Sequence, residues 1–71
     1  MDREKYAEKL KTNILVAMAK SRVSTKMELA KKTGIPPTSL YTKFNKPSNF
    51  TAYDVYKIAK VLNVPISELT K

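Results

Sequence analysis

Apolar side chains recur at Leu10, Ile14 and Ala17, three and four positions apart, with Tyr6 in phase before them. That spacing predicts a helix from about Asp2, a fair N-cap, to Lys20 or Ser21, with Tyr6, Leu10, Ile14 and Ala17 on its core face. The unbroken run Ile14-Leu15-Val16-Ala17-Met18-Ala19 is wider than one amphipathic stripe, so Leu15, Val16 and Ala19 are expected at the surface. They form either a protein-binding patch or a scatter of exposed aliphatics. Ser21 to Ser24 make a polar connection anchored by Val23.

The pattern then shortens. Thr25 can cap a new helix while Glu28, three residues on, reaches back in a capping box. Leu29 and Ala30 face inward, and Gly34 stands where the helix stops in the left-handed region. Pro37 suits a first helical position because no hydrogen bond is lost there, so a second helix is predicted from Pro37 to Asn45. Residues 25–45 thus read as helix, tight turn, helix. Lys46-Pro47-Ser48-Asn49 is expected as a loop. Thr51 caps a further helix to about Leu62, with Asp54 as its capping-box partner and Phe50 stapled to Val55. That helix should bury Val55, Ile58, Ala59 and Leu62, and Asn63 can end it. Pro65 to Leu69 predicts a last short helix whose Ile66 and Leu69 close the core. No strand pattern and no repeat is present, so the expected fold is all-α, five helices in a single domain spanning 1–71.

Charge sharpens this picture. Fourteen Lys and Arg stand against six Asp and Glu, a net charge of +8 that points to a polyanionic partner. Between Lys20 and Lys46 the bases are Lys20, Arg22, Lys26, Lys31, Lys32, Lys43 and Lys46, opposed only by Glu28. The field is therefore centred on the two-helix stretch rather than on a tail. Without cysteine or histidine there is no disulfide framework, no usual zinc constellation and no imidazole to activate a serine or threonine. No catalytic residue, cofactor or metal is expected, and the protein is read as non-enzymatic. No apolar run reaches membrane-spanning length and nothing resembles a signal peptide, so a cytoplasmic location without membrane association is expected.

Residues 25–45 resemble the helix-turn-helix of the Cro/CI repressor (XRE-type) family of bacterial and phage transcription regulators. The likeness rests on Glu28-Leu29-Ala30, Gly34-Ile35 and Leu40, and continues through Val55, Lys57-Ile58-Ala59-Lys60, Leu62 and Val64-Pro65-Ile66-Ser67-Glu68-Leu69. Ala30 lies where a larger side chain would push the helices apart, and Ile35 and Leu40 fill the angle between them.

The resemblance implies a lambda-repressor-like DNA-binding domain whose second motif helix, about 37–45, enters the major groove. By position, Pro37, Thr38, Tyr41 and Thr42 would face the bases, while Lys26, Ser39, Lys43, Asn45 and Lys46 would contact phosphates. It also implies a homodimer on double-stranded DNA. Where many family members pair an arginine in the first helix with a glutamate in the recognition helix, this chain has Met18 and Phe44, which are expected to touch. The base-facing residues lack the bidentate Gln, Asn or Arg that discriminate best. A second reading therefore stands beside the first: an antirepressor or corepressor that grips another repressor protein through surface apolar residues Leu15, Val16 and Met27.

Overall fold

A computed structural model describes residues 3–71. Its helices are α1 (Arg3–Lys20), α2 (Lys26–Thr33), α3 (Pro37–Asn45), α4 (Ala52–Leu62) and α5 (Ile66–Thr70), with a 3-10 turn at Pro47–Asn49. Asp2, the expected cap of α1, lies outside the described residues. No strand occurs among the described residues, and no helix there is long and apolar enough to cross a membrane.

Local chemistry sets most boundaries. The Thr25 hydroxyl accepts from the Glu28 N–H at 3.1 Å, although the return bond from the Glu28 side chain is not made. At α4 the reciprocal pair is complete: Asp54 N–H donates to Thr51 Oγ1 at 3.1 Å, and Thr51 N–H donates to Asp54 Oδ2 at 2.9 Å. Gly34 ends α2 at φ 80°, its N–H bonded to Ala30 O. The segment expected as a loop after α3 is instead a 3-10 turn with Pro47 buried, closed by bonds from Asn49 N–H to Lys46 O and from Phe50 N–H to Pro47 O. Proline's fixed φ suits its first position.

Both long helices end alike. Val23 N–H reaches Met18 O at 3.2 Å across Arg22 (φ 63°), and Val64 N–H reaches Ala59 O at 3.0 Å across Asn63 (φ 58°). Each is a Schellman termination, with the left-handed residue just past the helix. Ser21 Oγ donates to Leu62 O at 2.9 Å and ties the two ends together. Asparagine tolerates this conformation, whereas for arginine it costs about 1 kcal/mol or more. Arg22→Gly is therefore expected to stabilise the domain by about 0.5–1 kcal/mol and to raise its melting temperature by about 3–6 °C, readable by circular dichroism. A melting temperature that falls would contradict this account of the turn.

One core holds the fold. Leu10, Ile14, Ala17 and Met18 of α1 meet Leu29 and Ala30 of α2, Leu40 and Phe44 of α3, Val55, Ile58, Ala59 and Leu62 of α4, and Leu69 of α5, with Val23 and Ile35 filling the connections. Met18 and Phe44 are both buried in it. α1 packs on the 3-10 turn and on α5, while α2 packs on α3 and α4. Asn13 Nδ2 donates to Leu69 O at 3.0 Å and Lys71 O at 3.3 Å, fixing α5 to α1.

Two expected core residues are corrected. Tyr6 is 43 % exposed, because the buried stripe of α1 begins one position later at Ala7, whose small side chain lets the 3-10 turn approach. Ile66 is 44 % exposed, because the single turn of α5 has one inward position, taken by Leu69. Both line a shallow apolar groove of about 310 Å³ with Leu10, Phe50 and Val55.

Candidate nucleic-acid interface

The two-helix unit is built by a short list of contacts. Thr33 Oγ1 donates to Leu29 O at 2.8 Å and accepts from Ile35 N–H at 3.3 Å, bracing the turn around Gly34. Ala30, 2 % exposed, sits in the core where α2 packs on α3. α3 starts at Pro37 with no side-chain cap before it. Its inward residues are Leu40 and Phe44, 0 % and 1 % exposed, spaced as one helical stripe.

What remains faces outward. Pro37, Thr38, Tyr41, Thr42 and Asn45 are exposed and recur at three- and four-residue spacing, so they share one surface of the helix. All four residues expected to read bases lie on that surface, and none is packed into the protein. Thr42 Oγ1 donates to Thr38 O at 2.9 Å. In that state its oxygen can still accept a bond and its methyl can meet an apolar group such as the thymine methyl.

The residues expected to hold phosphates divide into three kinds. Asn45 and Lys46 are exposed, and Ser39 is half-buried on the flank of α3. Lys26, the first residue of α2, lies with its Nζ 4.9 Å from the centre of the Phe44 ring. That ring meets Phe50 edge-on, with centroids 5.4 Å apart and planes at 89°. An aromatic stack thus carries the amino end of α2 against the carboxyl half of α3, and the ammonium gains from the ring's negative face.

Lys43, also expected at a phosphate, is placed differently. Its ammonium is turned onto Asp54 Oδ2, where the lysine side chain is 21 % and the aspartate 9 % exposed. Burial by itself would raise the Asp54 carboxyl's affinity for a proton, but the bonds from Lys43 and from the Thr51 N–H and hydroxyl outweigh it and hold its pKa below the usual carboxylate value. This pair welds α3 to the cap of α4. Nothing in the local spacing of either residue signals it. Among the described residues no buried side-chain nitrogen or oxygen lacks a partner.

The apolar candidates also stand where expected: Leu15 is 39 %, Val16 48 % and Met27 44 % exposed. Lys31 and Lys32 are exposed in the last turn of α2, where cations complement the helix dipole.

Compared with known families, the chain matches the model for the Cro/C1-type HTH DNA-binding domain over residues 13–71. None of the curated proteins and none of the solved structures compared matches it.

Proposed function

The chain belongs to the Cro/C1-type HTH DNA-binding domain family, and from that premise we propose that it is a non-enzymatic transcription regulator of the Cro/CI repressor type that binds operator DNA as a homodimer. α3 lies in the major groove, with Pro37, Thr38, Tyr41 and Thr42 towards the base edges. Lys26, Ser39, Asn45 and Lys46 hold the backbone on either side, while Lys43 serves the fold. The observation that carries this reading is the division of α3 into a fully buried stripe, Leu40 and Phe44, and a continuous exposed polar face. A lysine-rich surface around that face supplies sequence-independent attraction, and the threonines supply modest discrimination.

A salt-titrated binding assay against random and selected duplexes tests the proposal. With about four phosphates neutralised per subunit, the slope of log affinity against log salt should be roughly −3 to −4 per subunit. Lys26→Ala is expected to weaken binding to selected and random duplexes alike, lowering the slope by about 1. Thr42→Ala is expected to leave the random-duplex affinity unchanged and to alter base preference at one position, by less than the about 1–3 kcal/mol that a bidentate pair supplies. Equal losses on both duplexes for both variants would overturn this division of labour.

The second reading keeps the scaffold and changes the partner. Leu15, Val16 and Met27, each more than a third exposed, would grip another repressor. A gel shift with the chain alone and then with a candidate repressor separates the two: retardation by the chain alone supports direct operator binding.

A further inference from the structure

α4 turns Val55, Ile58, Ala59 and Leu62 into the core and leaves Tyr53, Tyr56, Lys57 and Lys60 on its outer side. Tyr53 is 65 % and Tyr56 48 % exposed, an unusual placement for two large rings on one short helix. Each ring is covered by the lysine one turn on. Lys57 Nζ lies 4.4 Å from the Tyr53 ring centre and Lys60 Nζ 5.9 Å from that of Tyr56. The carboxylate of α4, Asp54, is buried and engaged by Lys43, so the strip is cationic and aromatic throughout.

We propose that this strip binds the phosphate backbone of the duplex flanking the site held by α3. Ammonium and phenol hydroxyl groups both donate to phosphate oxygens. Stacking on the rings keeps Lys57 and Lys60 laid along the helix, so less side-chain freedom is lost when they engage. The position suits a flank. Asp54 bonds Lys43 of α3, and Phe50, just before α4, meets Phe44 of α3, so the strip begins beside the carboxyl half of the recognition helix. It runs about 10 Å from Tyr53 to Lys60, and a duplex presents several phosphates over that length. Charge complementarity favours a polyanion, since the chain carries +8 and the strip no exposed carboxylate. This inference rests on α3 binding duplex DNA.

The test uses the full chain and two duplexes, one trimmed to the bound site and one extended by about one helical turn, about 10 bp, on each side. The unaltered chain should bind the longer duplex more tightly and with a steeper salt slope. Lys57→Ala/Lys60→Ala should lower the slope on the long duplex by about 2 and leave the short one nearly unchanged. Tyr53→Ser/Tyr56→Ser keeps every charge and should erase several-fold of the long-duplex advantage without changing the slope. Lys9→Ala/Lys11→Ala removes the same charge from α1 and controls for net charge.

The proposal is overturned if both duplexes bind equally, or if the α1 pair lowers the long-duplex slope as much as the α4 pair. Equal duplex affinities together with poly-glutamate binding that depends on Lys57 and Lys60 would assign the strip to an acidic protein instead. Should the unaltered chain bind neither duplex, the reading of α3 fails first. Binding to both with an unaltered slope in the α4 variant defeats the flank alone.

Discussion

Leu40→Ala is expected to destabilise the domain by about 3–5 kcal/mol and, with it, to abolish DNA binding. Leu40 is 0 % exposed and lies in the cluster that also contains Leu29, Ile35 and Ile58. Removing its branched end leaves a cavity where α2 meets α3, and helices pinned at the Gly34 turn can only partly collapse into it. A chain of this length has roughly 4–10 kcal/mol of total stability, so a large share would be lost. Urea or thermal unfolding followed by circular dichroism reads the change directly. Thr42→Ala, on the opposite surface of the same helix, should stay within about 0.5 kcal/mol of the unaltered chain. A Leu40→Ala protein that melts within a degree or two of it would mean that α3 is not anchored as described.

Asp54→Ala should cost about 2–4 kcal/mol by a different route. It removes the acceptor for the Thr51 N–H, worth about 1 kcal/mol as a cap, and leaves the Lys43 ammonium partly buried without its partner. The same residue gives stability a pH dependence. Its folded pKa is depressed, so at acid pH the unfolded chain binds the proton more readily than the folded one, and folding stability rises with pH. The contribution is complete above the unfolded value of about 3.9, and it is lost as pH falls through the depressed folded value. Unfolding free energy should therefore be nearly flat from pH 7 to about pH 5 and fall on further acidification, with a shallower fall in Asp54→Ala. Parallel acid limbs in the two proteins would show that the pair does not contribute as argued. Lys43→Met is the milder change, since Asp54 keeps its bonds to Thr51.

These expectations also mark how far the amino-acid sequence was legible. Features decided by near neighbours could be read: the Thr25 cap, the Thr51–Asp54 box, Gly34 and Asn63 as left-handed stops, and Pro37 as a first helical residue. The exposed face of α3 followed from the same logic, because Leu40 and Phe44 leave only one outward side. What escaped depends on contacts distant in the chain. Tyr6 fits a helical stripe as well as Ala7 does, and only the approach of the 3-10 turn decides between them. Ile66 fits a closing helix, yet a single turn has one inward position. Arg22 adopts a left-handed conformation for which arginine carries no signal, because the bond from Val23 to Met18 imposes it. Lys43 reads as one more surface base along the chain, and only the approach of α3 to the start of α4 sets Asp54, eleven residues on, against it.

The ring beneath Lys26 gives its ammonium an existing attachment, whereas Lys46, on the other side of the proposed clamp, is exposed to solvent. For Lys26, meeting a phosphate is an exchange of one partner for another, with about 0.5–1 kcal/mol of ring attraction surrendered on leaving. Its net share of the grip is correspondingly smaller, but it begins from a fixed place. In the proposed clamp Lys26 would act as a pre-aimed latch and Lys46 as a free tether, its two ends closing by different thermodynamics.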